Sequence, residues 1–459
     1  MTCTLHIYIL HWGISLDRAI YGVCARLLDL PQYVQLPLEN RLGTIAFHRL
    51  FTPTRKGGLG FTSSADNAEA AYLSSIVSIG KLIAFFTKSE ADVARNRLVD
   101  AYPAAGFDVR LALQKHRSFF NNPLADRIHT AAGIFSSKPI PGQQSHLAAL
   151  QQNFRVERVA KLQKDEGVLS REILTTQGIS GTYGHQWLGA LGNRSLEDDK
   201  FRELMRFLLG VPMHWHNATA ANPLPSLKCP CDPSKVLSGK DAYMYSLVCE
   251  KITAKHRHDG VRDAIASSLT SLQAFVDKSN PTRAFQVETE PYLHQKRIWA
   301  PKNPAMVNMG TKGDIYVWPK ALGHYPRQLL IDVVVTAPAD GDKKIGDAAA
   351  RGSRNKFTKY ANDWSLLAND PAFLAFAMEP TGFVAKATEV KLKNLIREVL
   401  NVPIPTAPPN YNNDAQEETS PPIYRYFLNK LRDSVSVALA RGTAGMLLSG
   451  RKTFRVVPV

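Results

Sequence analysis

One apolar run in the C-terminal half of the chain carries an acidic residue at its centre. Residues 329–335 read Leu-Leu-Ile-Asp-Val-Val-Val, and the acid is Asp332. Short runs of this kind, rich in β-branched residues, are typical of strands that are buried on both faces of a sheet. A carboxylate is almost never fully buried unless an ion pair or a metal ion compensates its charge. The run therefore predicts a buried strand that passes through an ionic site.

A second acid and two lysines flank this run in an order that indicates metal-ion chemistry. Asp314 opens an earlier strand-like run, and the alanine-rich segment 348–360 contains Lys356 and Lys359. Carboxylate oxygens are the ligands that Mg²⁺ prefers, and Mg²⁺ polarises phosphates and activates water. A nearby lysine would orient the water or neutralise developing charge. The alternative makes Asp332 a structural acid at a strand end and Asp314 a turn residue after glycine.

The composition and charge balance point to a folded protein with a polyanionic partner. The chain has 459 residues, 44% hydrophobic and 21% charged, which suits two or three folded domains. The net charge of +16 favours DNA or RNA, because binding to phosphates releases counterions. Charge alone does not separate nucleic acid from an anionic membrane surface.

Neither a membrane span nor a signal peptide is evident in the sequence. No run reaches the ~18 uninterrupted apolar residues of a membrane-spanning helix. The N-terminus lacks the basic region and the cleavage site of a signal peptide. We therefore expect an intracellular protein, nuclear or cytoplasmic, that is not secreted and has no membrane partner.

Three of the five cysteines lie close together in the sequence. Cys229, Cys231 and Cys249 are followed by His258, and these four residues are candidate ligands of Zn²⁺. Paired zinc ligands usually have two residues between them, whereas Cys229 and Cys231 have one. The pattern predicts reduced thiols and a zinc site. The alternative is a degenerate site that binds nothing, or a set of buried free cysteines.

A basic stretch follows the cysteines. Lys251, Lys255, Arg257 and Arg262 lie at the start of a helix that the sequence predicts over residues 251–275. Basic residues beside a nuclease site commonly contact phosphates, and we expect these side chains to bind nucleic acid in this way. The alternative is a solvated helix face without a ligand.

The pattern along the whole chain predicts an α+β protein. Apolar residues recur at helical spacing in several segments, whereas the runs around Asp314 and Asp332 have the length and composition of strands. The predicted regions are a helical region over 1–150, a helical connector over 151–225, the cysteines and basic helix start over 226–262, a small α/β domain over 263–401, a Pro-rich linker over 402–424, and a last helix and tail over 425–459.

These segments resemble the C-terminal half of non-LTR retrotransposon reverse transcriptases that carry a restriction-like endonuclease. The matching blocks are residues 55–60, 70–75, 185–188, 201–202, 208–212, 229–249, 257–263, 290–291, 313–315, 331–333, 356–360 and 434–450. Each block is short, and their common order over residues 20–450 makes the resemblance specific.

The resemblance implies a degenerate zinc knuckle followed by a restriction-like endonuclease domain that nicks target DNA for insertion of the element. Asp314 and Asp332 would hold Mg²⁺, with Glu290 as a third candidate acid. Lys356 or Lys359 would be the catalytic lysine.

The chain departs from the family pattern at four places, one of which is an insertion over residues 294–312, between Glu290 and Asp314. Gly313 precedes Asp314 where the family usually has proline. Val334 stands two residues after the second acid, where a lysine is usual, and the residues before the last cysteine include Tyr245 but lack the family's histidine. These departures leave two further hypotheses: a catalytically inactive remnant that binds nucleic acid, and a relic that folds poorly.

The sequence contains no polymerase centre. A polymerase palm carries paired aspartates on a tight hairpin, and the only adjacent pair here is Asp198 with Asp199. That pair opens a predicted helix, where acids interact favourably with the helix dipole. We therefore expect no reverse transcriptase activity from this chain alone, and an upstream polymerase fragment of the same element is a candidate partner.

Overall fold

A computed structural model gives the fold, and its contacts divide the chain into two compact units. Unit 1 comprises residues 1–53 and 58–167, and unit 2 comprises residues 54–57 and 168–459. The described residues are 2–30, 35, 41–67, 71, 143–165, 170–184, 186–190, 196–211, 213, 226–229, 231–232, 234–249, 252, 254–296, 299, 302, 312–320, 327–339, 341–366, 371–403 and 420–456.

The described helices and strands alternate only in the second half of the chain. The helices are α1 (Thr2–Leu27), α2 (Arg41–Phe51), α3 (Gln143–Asp165), α4 (Ser170–Gln177), α5 (Gln186–Ala190), α6 (Asp198–Leu209), α7 (Gly239–Ser246), α8 (Lys255–Ser279), α9 (Leu293–Lys296), α10 (Asp347–Asp363), α11 (Lys386–Leu400) and α12 (Pro422–Thr453). The strands are β1 (Ser226–Lys228), β2 (Val236–Ser238), β3 (Phe285–Thr289), β4 (Ile315–Pro319), β5 (Leu329–Val335), β6 (Phe373–Met378) and β7 (Arg455–Val456).

Unit 1 is helical where it is described. Arg155 of α3 forms a 2.6 Å salt bridge with Asp66 and lies over the ring of Phe51, the last residue of α2. Asp17 of α1 accepts a 2.6 Å hydrogen bond from the hydroxyl of Ser63. These contacts link the helices to the turn that follows α2. Most of the predicted helical region between positions 68 and 142 lies outside the described residues.

Unit 2 is built on a mixed four-stranded sheet with the order β3-β4-β5-β6. The first three strands pair antiparallel, and β5 pairs with β6 in parallel. A parallel pair needs a long crossover connection, which α10 supplies between these two strands. The strands that the sequence predicts around Asp314 and Asp332 are confirmed as the neighbours β4 and β5.

Both faces of β5 are buried, which explains its continuous apolar sequence. Ile331 and Val333 contribute to a core that α8, α11 and α12 cover. Leu330 faces the other way and packs in a second core with Tyr360 of α10. Because successive side chains alternate between the faces of a strand, Asp332 lies on the face of Leu330, beneath α10. The acid is 2% exposed.

The C-terminal helix α12 belongs to the same core as the sheet. It packs against α8, and its residues Tyr424, Leu428 and Val435 are buried in the core on the β5 face of Ile331. Gly442 allows a close approach, since an added Cβ there would lie 2.6 Å from Cα of Arg257. The sequence predicts this helix as a region apart from the α/β domain, whereas its apolar face completes the core of that domain.

A second sheet of three strands carries the cysteines. β1 pairs antiparallel with both β2 and β7, so Leu227 lies between Leu237 and Val456. Cys229 directly follows β1, and Cys249 follows α7. The strand after α12 therefore completes the sheet next to the cysteines.

The chain is α+β, as the sequence predicts. Of the predicted linker, residues 404–419 lie outside the described part of the chain. Within the described ranges, no helix combines the length and the apolar character needed to cross a bilayer.

Candidate metal centre

Two aspartates meet at the point where β4 begins. Asp314 directly precedes β4, and the register pairs Ile315 with Ile331, which brings Asp314 opposite Asp332. Oδ2 of Asp314 accepts a 2.6 Å hydrogen bond from the backbone N–H of Val333. The register of two antiparallel strands therefore holds both carboxylates at one site.

His258, in the first turn of α8, joins the two aspartates. Its Nε2 lies 3.1 Å from Oδ2 of Asp314 and 3.1 Å from the carbonyl oxygen of Val333. Both neighbours are acceptors, so we assign the proton to Nε2. Its Nδ1 lies 3.3 Å from Oδ1 of Asp259. The hydrogen bond to Asp314 raises the pKa of His258, and the ring acts as a donor that orients this carboxylate.

Lys356 is the lysine that contacts the acids. Its Nζ lies 3.0 Å from Oδ1 and 2.9 Å from Oδ2 of Asp332. Lys359 is exposed, and its Nζ lies 5.6 Å from the centroid of the Tyr360 ring. Since β5 has Val334 where the family usually has its lysine, the cation beside Asp332 comes from α10 instead. Of the two lysines that the sequence offers, the helix turns Lys356 towards the sheet.

Burial and mutual contact push the pKa values of the two aspartates apart. Burial raises the pKa of Asp332 to about 7, the hydrogen bond with Asp314 adds to this effect, and Lys356 opposes it. Burial also acts on Asp314, but hydrogen bonds with His258 and Asp332 outweigh it and hold the pKa of Asp314 below its usual value. Asp332 is therefore the carboxyl that keeps a proton near neutral pH when no cation is bound.

The donor atoms fit a divalent cation. Ligand atoms of His258, Asp314 and Asp332 all lie within 4.8 Å of one another. Two carboxylates suit hard cations such as Mg²⁺, and a histidine that donates to a ligating carboxylate is a common outer partner. Two carboxylates lie together here beside one lysine, and a divalent cation would compensate their remaining negative charge.

Glu290, the third candidate acid, turns its carboxylate away from the pair. Its backbone N–H donates to the carbonyl oxygen of Asp314, and its backbone is left-handed, with φ 52°. Its carboxylate accepts a 2.5 Å hydrogen bond from Arg262 and lies 3.6 Å from Nζ of Lys312. The structure therefore brings the backbone of Glu290 to the site, while its side chain forms ion pairs beside it.

The basic start of α8 does not present its arginines to a ligand. Arg257 is 2% exposed because it lies on the face of α8 that packs against α12. Arg262 forms ion pairs with Asp259, Asp263 and Glu290. The prediction that these two arginines contact phosphates is therefore not supported by their positions. Lys255 is exposed.

Lys251 is the remaining residue of the predicted basic helix start. It lies outside the described residues, and α8 begins at Lys255.

The three cysteines form a separate cluster. The sulfur of Cys231 lies 2.8 Å from that of Cys229 and 3.5 Å from that of Cys249. The third neighbour of the Cys231 sulfur is the phenol of Tyr245, at 3.7 Å. His258 does not join the cysteines as the sequence predicts, since its ring contacts Asp314 and the three cysteines group without it.

Sequence reasoning missed two members of the acid site. His258 was assigned to the cysteines by proximity in sequence, and no local pattern links it to Asp314, which lies 56 positions away. Tyr360 lies one helical turn after Lys356, on the same face of α10, and that spacing was visible in the sequence. Burial first, and then the carboxyl of Asp332, raise the pKa of Tyr360.

Comparison of the chain with protein-family models, with curated proteins and with solved structures finds no match. A function must therefore be argued from the geometry and chemistry of the site.

Proposed function

We propose that this chain is a metal-dependent DNA endonuclease, derived from a non-LTR retrotransposon of the kind that its sequence resembles, and that it nicks one strand of target DNA. The observation that supports this most is the pairing of Asp314 with Asp332 beside Lys356. Buried acids of this kind are expensive to fold unless a cation compensates them. A net charge of +16 favours a polyanionic substrate.

Each residue at the site has a role in this proposal. Asp314 and Asp332 would hold Mg²⁺, which would supply polarisation of the phosphate and activation of water. His258 donates to Asp314 and keeps its carboxylate in position. Lys356 neutralises charge beside Asp332 and is placed to stabilise charge that develops on the phosphate.

A second candidate function is nucleic-acid binding without cleavage. His258 and Lys356 already bond to the two carboxylates without any cation, so the cluster is also a self-contained ion-pair network. In this case the chain would be an inactive remnant that uses its positive charge to hold DNA or RNA.

We propose separately that the cysteine cluster binds Zn²⁺ through three thiolates. Tetrahedral zinc with Zn–S bonds of ~2.3 Å separates its sulfurs by roughly 3.8 Å. The 3.5 Å between Cys231 and Cys249 is close to that value, whereas the 2.8 Å between Cys229 and Cys231 would have to open. Stoichiometric zinc in the purified protein, lost in Cys249→Ser, would support this site.

Conversion of supercoiled plasmid to open circles tests the endonuclease proposal. We expect nicking by the parent protein in Mg²⁺, none in EDTA, and a loss of at least ~10²-fold in Asp332→Asn, as for removal of a transition-state stabilising group. Asp199→Asn is the matched control, because Asp199 is an exposed acid on α6. DNA binding without nicking at any Mg²⁺ concentration would select the second candidate function.

A further inference from the structure

We infer that duplex DNA is held along α10 and the residues just before it, with its phosphates on Lys343, Lys344, Arg354 and Lys359. We call these four residues the α10 surface. The inference rests on the proposed function, because the acids beneath α10 would fix the position of the phosphate that is cut. It adds the surface that holds the rest of the strand.

The two sides of α10 carry different residues. Lys356 and Tyr360 lie on the inner side, where the lysine contacts Asp332. Arg354 is exposed on the side opposite Lys356, and Lys359 is exposed near the C-terminal end of α10, beside the ring of Tyr360. A helix with its side chains is only about 10–12 Å across, so Arg354 lies roughly one helix diameter from the acids.

The backbone of α10 is fixed against β5. An added Cβ at Gly352 would collide with the hydroxyl of Thr336, the residue that follows β5, and would lie 3.3 Å from Cγ1 of Val334. A helix that packs this closely cannot slide without disturbing the strand. The backbone that carries Arg354 and Lys359 is therefore fixed relative to the acid pair.

The α10 surface keeps an excess of positive charge, although the carboxylate of Asp347 offsets part of the charge of Lys344 and Arg354. Residues 341–359 contain six basic and two acidic residues. Asp342 binds Arg351, and Asp347 accepts hydrogen bonds from the backbone N–H groups that precede α10. Within the described ranges, the four cations of the α10 surface form no ion pair with an acid.

Cations on the other side of the acid pair are already occupied. Arg262 binds three acids, and Lys312 lies near the carboxylate of Glu290 and over the ring of Tyr292. Among the described residues near the site, the cations of the α10 surface and Lys255 at the start of α8 are exposed. On this inference, contacts on α10 take the place of the phosphate contacts predicted for Arg257 and Arg262.

The four cations form a positive track along α10 and beyond its N-terminus. Arg354 and Lys359 differ by a rise of about 7.5 Å along the helix axis and by about 140° around it, so the two side chains reach different phosphates of the duplex. Lys343 and Lys344 extend the positive track beyond the N-terminus of α10.

The test measures binding of the full chain to a 30-base-pair duplex by fluorescence anisotropy in EDTA, over a range of KCl concentrations. The variants are the doubles Arg354→Gln with Lys359→Gln, and Lys343→Gln with Lys344→Gln. We expect each double to lower the slope of log K against log[salt] by about 1.8, since each phosphate contact contributes ~0.9.

The matched control is the double Lys278→Gln with Arg425→Gln. Both residues are exposed, on α8 and α12, the helices that cover the opposite face of the sheet. The control double is expected to keep the parental slope. Equal losses in control and test doubles would overturn the inference, because binding would then follow total charge rather than the α10 surface.

Two further measurements keep the outcome interpretable. The charge-preserving double Arg354→Lys with Lys359→Arg should restore the parental slope, which excludes misfolding as the cause of a loss. Single-stranded RNA of equal charge and vesicles with anionic lipid are compared with the duplex. Tighter binding to either one through these residues would overturn the choice of duplex DNA.

The two proposals fail in different ways. Loss of binding in the test doubles, without nicking by the parent protein, would leave the α10 surface standing and reject the endonuclease. Nicking by the parent protein, with unchanged binding in both test doubles, would reject the α10 surface and leave the endonuclease standing.

Discussion

Asp332 is a buried carboxylate whose charge the fold compensates only in part. Burial and the neighbouring Asp314 both raise its pKa, and a single lysine opposes them. Sites that need such groups for chemistry commonly lower the stability of the folded state. At the scale of the residue, stability and proposed activity therefore depend on Asp332 in opposite directions.

We expect Asp332→Asn to raise the melting temperature of the metal-free protein at pH 8 and to change it little at pH 4. The folded-state pKa of about 7 lies above the ordinary 3.8, so the folded protein loses stability as the pH rises through this window. Asparagine donates to Asp314 without adding a charge. Melting curves in EDTA measure the effect, at about 2–4 °C for each kcal/mol. An equal shift at both pH values would contradict ionisation as the cause.

Lys356 and Lys359 should affect nicking in different ways. Lys356→Gln removes the cation beside Asp332, and we expect a nicking rate at saturating DNA that falls by roughly 10²-fold or more. Lys359→Gln removes an exposed cation that we propose to contact phosphate, and we expect it to raise the DNA concentration needed for half-maximal nicking. Rates against DNA concentration separate the two effects. The same change in both variants would contradict the assignment of Lys356 to the site.

At the scale of the elements, the packing of three helices builds the site. α8 turns His258 towards the sheet and Arg257 towards α12. α10 lies directly over the face of β5 that carries Asp332 and brings Lys356 to it. α12 covers the opposite face of the sheet and packs against α8. The periodicity of each helix does not by itself determine which of these contacts its residues make.

The crossing of α8 and α12 offers a test of this packing. In Gly442→Ala the new Cβ would lie 2.6 Å from Cα of Arg257, a backbone atom that cannot move away on its own. We expect the free energy of unfolding to fall by about 1–3 kcal/mol, as for other overpacked positions. Urea unfolding measures the change.

Gly445→Ala is the matched control on the same helix. Nothing lies within 4 Å of a Cβ added at Gly445. Alanine is about 1 kcal/mol better than glycine in a helix interior, so we expect this variant to gain stability. If Gly442→Ala were equally stabilising, the close approach of the two helices would be wrong.

At the scale of the whole molecule, unit 2 is closed by segments that are far apart in sequence. β7 pairs with β1, and Phe454 packs edge-on against Tyr245, with ring centroids 6.2 Å apart. Tyr245 in turn contacts the sulfur of Cys231. The long helix α12 therefore connects the sheet that carries the acids to the sheet that carries the cysteines.

Phe454→Ala should expose the cysteines. Phe454 is buried, and truncating a buried phenylalanine typically costs about 3–5 kcal/mol. We expect faster alkylation of Cys231, measured by mass spectrometry in the presence of a chelator. Tyr426→Ala is the control, since Tyr426 is an exposed aromatic residue on α12. Unchanged alkylation in Phe454→Ala would mean that Phe454 does not shield the cysteines.

Local patterns were sufficient to predict several elements. The helical spacing of apolar residues predicted α6, which ends at Gly210 in a left-handed conformation, with φ 79°. The apolar runs around Asp314 and Asp332 predicted two strands. These features depend on backbone preferences and on a repeat of two or 3.6 residues, both of which are present in a short stretch of sequence.

The sequence by itself indicated that Asp314 and Asp332 lie on strands, that one of the two lysines after them serves the acid site, and that three cysteines form a group. Only the tertiary structure decided that Lys356 rather than Lys359 contacts Asp332, and that His258 binds Asp314 instead of the cysteines. It also decided that Arg257 is buried. The reason is that a helix presents its faces according to what packs against it. That choice depends on β5 and α12, whose contacts with these helices join residues that are distant in sequence.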